Sequence, residues 1–168
     1  MKSPKADREA VEHEFPPVWS AESRTLVLGS IPSPKSRETG FYYGHPQNRF
    51  WRTLARVFGE PVPETIPRKK AMLRRHRVAL WDVLASCTIA GASDASIEDA
   101  VTNDIAGLVA KTKISRVFCT GAVAHRLYSE RCAEKVGIEA VRLPSTSPAN
   151  RAVSDEALVE AYRAIAEE

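Results

Sequence analysis

Two segments of this chain concentrate residue types that can hold a planar, polar ligand. The first reads Gly29-Ser30-Ile31-Pro32-Ser33 and continues through Gly40-Phe41-Tyr42-Tyr43-Gly44-His45-Pro46-Gln47-Asn48-Arg49-Phe50-Trp51. Its glycines let a ligand come close to the backbone. Its aromatic rings offer flat faces on which a base can stack, and its amides and backbone N–H groups can bond a base edge. The second reads Leu143-Pro144-Ser145-Thr146-Ser147-Pro148-Ala149-Asn150. Stiff with proline and rich in small hydroxyls, it suits contact with a sugar–phosphate backbone. Histidine is the side-chain type suited to protonating a purine nitrogen, which makes His45 a candidate, with an exposed loop histidine as the plain alternative. Asn48 is no base near neutral pH, but a carboxamide can orient water or bond a departing group by fixed geometry. It also stands where a helix N-cap belongs.

The elements that must position these residues follow from periodicity. Residues 25–28 form an apolar run ending in Gly29-Ser30, a buried strand with a long loop after it. Phe50, Trp51, Leu54, Val57 and Phe58 recur at helical spacing, and Gly59 stops that helix. Further strands are expected at residues 78–84, 115–121 and 139–143. Helices are expected over the basic segment 67–77 and over residues 96–110, 122–136 and 154–168. Phe50 and Trp51 read as core, and His125 as a structural helix residue. Alternating strands and helices imply a three-layer α/β/α fold around a central, mostly parallel four-stranded sheet. Ligands in such folds sit beyond the carboxyl ends of the strands, where residues 29–47, 85–96, 120–122 and 144–150 fall. Asp82 interrupts or ends its strand there, and either orients His45 or a loop backbone or caps a turn. Residues 1–15 are polar and read as a flexible N-terminal arm, with a single domain over residues 16–168.

Composition narrows the class. The 168 residues carry a net charge of +3, which permits nucleic-acid binding without demanding it. The segment Pro67-Arg68-Lys69-Lys70-Ala71-Met72-Leu73-Arg74-Arg75-His76-Arg77 reads equally as a phosphate-binding cluster or a solvated helix face. No apolar run approaches the roughly 20 residues that span a bilayer, so no membrane partner is expected and cytoplasmic residence is the default. Cys87, Cys119 and Cys132 include no C-x-x-C pair, and the histidines are scattered. Neither a disulfide framework nor a metal site is expected, and no cofactor. An esterase is excluded by the lack of a G-x-S-x-G elbow.

On these motifs the chain resembles the uracil-DNA glycosylase superfamily, and within it the hypoxanthine-DNA (deoxyinosine) glycosylase branch. The likeness rests on Gly29-x-x-Pro32, then Tyr43, then Asn48-Arg49-Phe50-Trp51, ordered across the first loop, and on the segment 143–148 after the last strand. Leu80-Trp81-Asp82-Val83-Leu84-Ala85-Ser86-Cys87 with Gly91-x-x-Asp94 is similar to the hypoxanthine branch. The resemblance implies a monofunctional DNA glycosylase, without cofactor, that excises a flipped deaminated base from double-stranded DNA. It favours hypoxanthine, with uracil or xanthine as further substrates, and a monomer is expected. It implies base contact by Gly29, Ser30, Ile31, Pro32, Tyr42 and Tyr43, with Tyr43 stacking. Catalysis falls to Asn48 with His45, because Ile31 stands where most members place an Asp or Asn that handles the attacking water. DNA contact is implied for Ser145, Thr146, Ser147, Asn150 and Arg151. Leu143 stands where many members have His or Asn, and no bulky wedge follows, so Ser147, Asn150 or Arg151 is left to fill the gap in the helix. Two other readings stay open: a catalytically inactive DNA-binding module of the same fold, and a hydrolase of free nucleosides.

Overall fold

A computed structural model of the protein describes residues 8–13, 15–90 and 94–167. In chain order the strands are β1 (Glu9–Glu12), β2 (Thr25–Gly29), β3 (Val78–Asp82), β4 (Leu84–Ile89), β5 (Glu98–Thr102), β6 (Arg116–Thr120) and β7 (Ala140–Leu143). The helices are α1 (Pro34–Thr39), α2 (Phe50–Phe58), α3 (Ile66–Arg75), α4 (Ile105–Ala110), α5 (Ala122–Arg131), α6 (Ala133–Val136) and α7 (Asp155–Tyr162).

The central sheet has four parallel strands in the order β3-β2-β6-β7. Its inner strand β2 is buried at every position, as expected for a parallel strand covered on both faces. The two-residue period of the strand divides its side chains between the faces. Leu26 and Leu28 meet Ile105 and Leu108 of α4 and Ala124, Leu127 and Tyr128 of α5. Val27 faces the other way, with Phe50, Trp51 and Leu54 of α2, Met72 and Leu73 of α3, and Leu158 and Tyr162 of α7. The three-layer α/β/α expectation therefore holds.

A second sheet, antiparallel and ordered β1-β4-β5, lies outside that expectation. The chain leaves the parallel sheet after Asp82 and enters this one at Leu84. At the crossing, the N–H groups of Val83 and Leu84 donate to the carbonyls of Gly29 (2.8 Å) and Ser30 (3.0 Å). Residues 85–89, expected as loop, thus belong to strand β4, and Leu84, expected to end the preceding strand, begins it. The helix expected over 96–110 splits into β5 and α4, with Asp104 capping α4 through Gly107 N–H at 2.9 Å. Residues 9–12, expected as a loose arm, pair with β4 instead, Glu9 opposite Ile89 and Glu12 opposite Ser86. Polar alternation in so short a strand gives little periodic signal. The loop after β2 holds the short helix α1, whose Ser33 cap accepts from Ser36 N–H. Gly91, part of the family-like segment, lies outside the described residues.

Candidate active site

The carboxyl ends of β2, β3 and β6 open into a cavity of ≈ 320 Å³. Gly29, Ser30, Ile31, Pro32, Tyr42, Tyr43, His45 and Asn48 line one side of it, and Ser145, Thr146 and Ser147 the other. The two segments singled out in the sequence therefore meet. Asp82 and Thr120 also line the cavity, whereas Asn150 and Arg151 do not.

Tyr43 is held in place by three features. Its ring stacks on Phe50, centroids 3.9 Å apart and planes 16° from parallel. Its hydroxyl shares a hydrogen bond with Thr120 Oγ1 at 3.1 Å. Its backbone is left-handed, φ 53°, which costs a bulky residue roughly 1–3 kcal/mol and is characteristic of functional positions. Burial pushes the phenol well above its ordinary pKa, and the nearby Asp82 charge adds to this, so Tyr43 stays a neutral ring and hydroxyl. Gly44 follows without room for a side chain: its N–H donates to Ser36 Oγ at 3.0 Å and ties the loop to α1. Tyr42 touches the cavity but is 2% exposed, and its hydroxyl donates to the Pro16 carbonyl at 3.1 Å. Its contribution is to shape the wall.

Asn48 was expected at the N-cap of α2, but Arg49 takes that position and Asn48 stands one residue before it. Helix α2 begins at Phe50, and Asn48 Oδ1 accepts the Phe50 N–H at 2.9 Å. That bond satisfies one of the helix's orphan donors and fixes the carboxamide plane. The Nδ2 donors have no partner among the described residues, and one lone pair of Oδ1 remains. His45 Nδ1 accepts the Gln47 N–H at 3.0 Å, which puts the ring proton of the neutral tautomer on Nε2. His45 thus presents a fixed hydrogen-bond donor without needing protonation. The pairing of Asp82 with His45 allowed by the sequence is not formed. Asp82 Oδ2 meets His13 Nε2 at 2.8 Å.

The facing loop is braced from within. Asn150 Nδ2 donates to Ser145 O at 2.9 Å, and Ser147 N–H to Ser145 Oγ at 3.1 Å. Asn150 therefore spends its side chain on the loop. Arg151 is exposed. Arg49 joins the two segments: its guanidinium donates to the carbonyls of Val153 and Asn150, both at 2.7 Å, and to Asp155 Oδ1 at 3.2 Å. Its own N–H donates to Thr146 O at 3.1 Å.

Among the described residues, no group of three or more His, Cys, Asp or Glu could hold a metal ion, and no helix is long and apolar enough to cross a membrane. The basic helix α3 does not line the cavity. Lys69 Nζ lies 5.2 Å from the Trp51 ring and Lys70 Nζ 5.8 Å from that of Phe41, and Arg75 pairs with Glu60. A separate cavity of ≈ 420 Å³ between α3 and residues 15–20 shares none of the expected site residues. Sequence reasoning left out Thr120, which carried no motif, and His13, which lay in the segment read as an arm.

The chain is similar to known proteins along most of its length. The profile of the Uracil DNA glycosylase superfamily matches residues 16–166. A Methanosarcina acetivorans protein named hypoxanthine DNA glycosylase is 34% identical over 145 residues, covering 86% of this chain and 91% of its own. One of the same name from Methanosarcina barkeri is 37% identical over 90 residues, covering 53% of this chain and 57% of its own. The solution NMR structure of a Methanosarcina acetivorans protein, described as a candidate uracil DNA glycosylase, superposes with TM-score 0.78 at 31% identity. That match covers 95% of this chain and 100% of the other.

Proposed function

The chain belongs to the uracil-DNA glycosylase superfamily, and from that premise we propose that it is a monofunctional DNA glycosylase that excises hypoxanthine flipped out of double-stranded DNA. The observation that carries this reading is the shared cavity: a stacked tyrosine, an anchored carboxamide and a donor histidine face a braced Pro-Ser-Thr-Ser-Pro loop across ≈ 320 Å³. The relatives named hypoxanthine DNA glycosylase support the substrate.

In this mechanism the flipped base stacks on Tyr43, worth roughly 1–3 kcal/mol. A mispaired deaminated base costs less to extrude than a normal one. Breaking the N-glycosidic bond builds positive charge on the sugar and negative charge on the leaving base. His45 Nε2–H and the Asn48 Nδ2 donors stabilise the base as it leaves, because they are fixed before the charge develops. The remaining Asn48 Oδ1 lone pair orients water toward the sugar carbon. Ser145, Thr146 and Ser147 hold the adjoining backbone. No lysine stands among the described residues lining the cavity, so the sugar is released to water and not to a Schiff base. The enzyme acts as a monomer in the cytoplasm.

Duplexes carrying hypoxanthine, uracil or xanthine, incubated with the protein and then treated with alkali, test the reading. Breaks at hypoxanthine that appear only after alkali are expected. Binding without alkali-dependent breaks overturns the catalytic reading, and borohydride-trapped strand cleavage overturns the monofunctional one.

A further inference from the structure

The cavity of ≈ 420 Å³ between α3 and residues 15–20 has no part in the chemistry above. Its lining shares no residue with the cavity that holds Tyr43 and Asn48. One wall is braced by the fold itself. Val18 N–H donates to Leu80 O at 2.9 Å, and Leu80 N–H to Val18 O at 2.8 Å, so this segment lies along the edge of β3. Pro16 O accepts the Tyr42 hydroxyl at 3.1 Å, and the Phe15 ring meets that of Tyr42 edge-on, centroids 4.6 Å apart. The other wall is α3, which presents Ile66, Lys70 and Arg74 at helical spacing. Trp19 and Ile66, both on the lining, are 41% and 37% exposed. Large apolar side chains left in water on a concave surface mark an interaction site. Lys70 and Arg74 are exposed as well, roughly 6 Å apart along the helix axis. Among the described residues, no Asp or Glu lines this cavity, and the acidic partner of α3 is Glu60, which pairs with Arg75 off the lining.

An apolar trough edged by cations without counter-charges calls for a ligand that is both apolar and acidic. A DNA strand fits it poorly, because phosphates are met by cations along an open surface and offer nothing to Trp19 and Ile66. Strand addition is closed too. Pro16 and Pro17 have no N–H, and Val18 spends both backbone groups on Leu80. Recognition therefore rests on side chains. We propose that this groove docks a short extended segment of a partner protein in which two acidic residues flank a bulky apolar one. In an extended segment, side chains two residues apart share a face and lie roughly 6.6 Å from each other, which matches the Lys70–Arg74 spacing. The apolar residue between them turns to the opposite wall, where Pro17 and Trp19 stand. That wall is set by hydrogen bonds already made, so little ordering is left to oppose binding. Gly40 and Phe41 line the groove, and the next two residues, Tyr42 and Tyr43, line the other cavity. A docked partner is thus held beside the candidate site without covering it.

The test selects a random dodecapeptide display library on the full chain, with the Lys70→Glu/Arg74→Glu variant as counter-target. Enriched peptides are expected to carry Asp or Glu on both sides of a Leu, Ile, Phe or Trp. The most enriched peptide, synthesised with a fluorophore, should bind wild type at least about tenfold more tightly than the double variant, and more weakly as salt rises. Lys70→Ala/Arg74→Ala, which removes the charges without reversing them, should show a smaller loss in the same direction and stands in if the reversal unfolds the chain. Trp19→Ala should weaken binding by at least about tenfold. The unlabelled peptide should shift tryptophan emission to shorter wavelength in wild type and not in Trp19→Phe. No enrichment, enriched peptides without acidic residues, or equal binding by wild type and the charge variants would overturn the proposal. Displacement of the peptide by an undamaged DNA duplex would assign the surface to nucleic acid and overturn it as well. None of these readouts requires base excision, so failure here leaves the glycosylase reading untouched, and the reverse holds.

Discussion

Asn48 and Tyr43 are both held in fixed geometry. Asn48 gives one oxygen lone pair to Phe50 N–H, and that bond aims the rest of the amide. Asn48→Ala is expected to lower single-turnover excision of hypoxanthine by about 10²–10³-fold, the usual cost of removing one preorganised donor. Loss of the bond from Phe50 N–H should also lower unfolding free energy by about 0.5–1.5 kcal/mol. An unfolding shift with undiminished excision would leave Asn48 a brace for the start of α2 and nothing more. Tyr43 separates into ring and hydroxyl. Tyr43→Phe keeps the stack on Phe50 and loses only the Thr120 bond, whereas Tyr43→Ala removes the platform. The second should lose about 1–3 kcal/mol of transition-state binding, read as a fall in kcat/KM well beyond that of the first. Equal kinetics in the two variants would argue that Tyr43 stacks on nothing but Phe50.

At the scale of elements, the site is two loops held at one distance. Arg49, only 12% exposed in its side chain, does the holding. It sits at the start of α2 and binds carbonyls at the start of α7. Each bond to a charged donor of this kind contributes about 1.5–3 kcal/mol, and a truncated side chain leaves the carbonyls unsatisfied. Arg49→Met is expected to lower Tm by roughly 4–10 °C. Among molecules still folded at 20 °C, excision should fall as well, because the Ser145 loop is no longer registered against Asn48. A variant with lowered Tm and normal kcat/KM would show that the loop is set by its own internal bonds. The spacing of Phe50, Trp51, Leu54, Val57 and Phe58 made α2 legible, since apolar residues at helical spacing have no other way to share one face. The role of Arg49 was illegible, because its partners lie about a hundred residues away and are backbone carbonyls, which every residue carries.

For the whole molecule, the charge of +3 sets no direction by itself; the position of the cavity does. The proposed function puts DNA across the carboxyl edge of the sheet, where Arg151 is exposed beside the Ser145 loop. Each phosphate neutralised adds about 0.9 to the slope of log affinity against log salt. Arg151→Ala is expected to reduce that slope by about 0.9 for a duplex with an abasic analogue, while Arg75→Ala, whose partner is Glu60, leaves it unchanged. The opposite pattern would put the basic helix on DNA and move the binding face.

Local pattern settled what local physics governs. Strand–helix alternation, the motif order Gly29-x-x-Pro32, Tyr43, Asn48, and the stop at Gly59 were enough for the parallel sheet, its four strands and the rim where the two loops share a cavity. Residues close in sequence share one element, and their side chains must divide between its faces. Tertiary structure alone decided the pairings between distant segments. Strand β1 adds to β4 through backbone bonds that carry no sequence signature, and by doing so carries His13 to Asp82 across 69 residues. The passage of the chain from one sheet to the other after Asp82 likewise depends on Asn103 and on the carbonyls of β2, partners that no stretch of sequence around Asp82 contains.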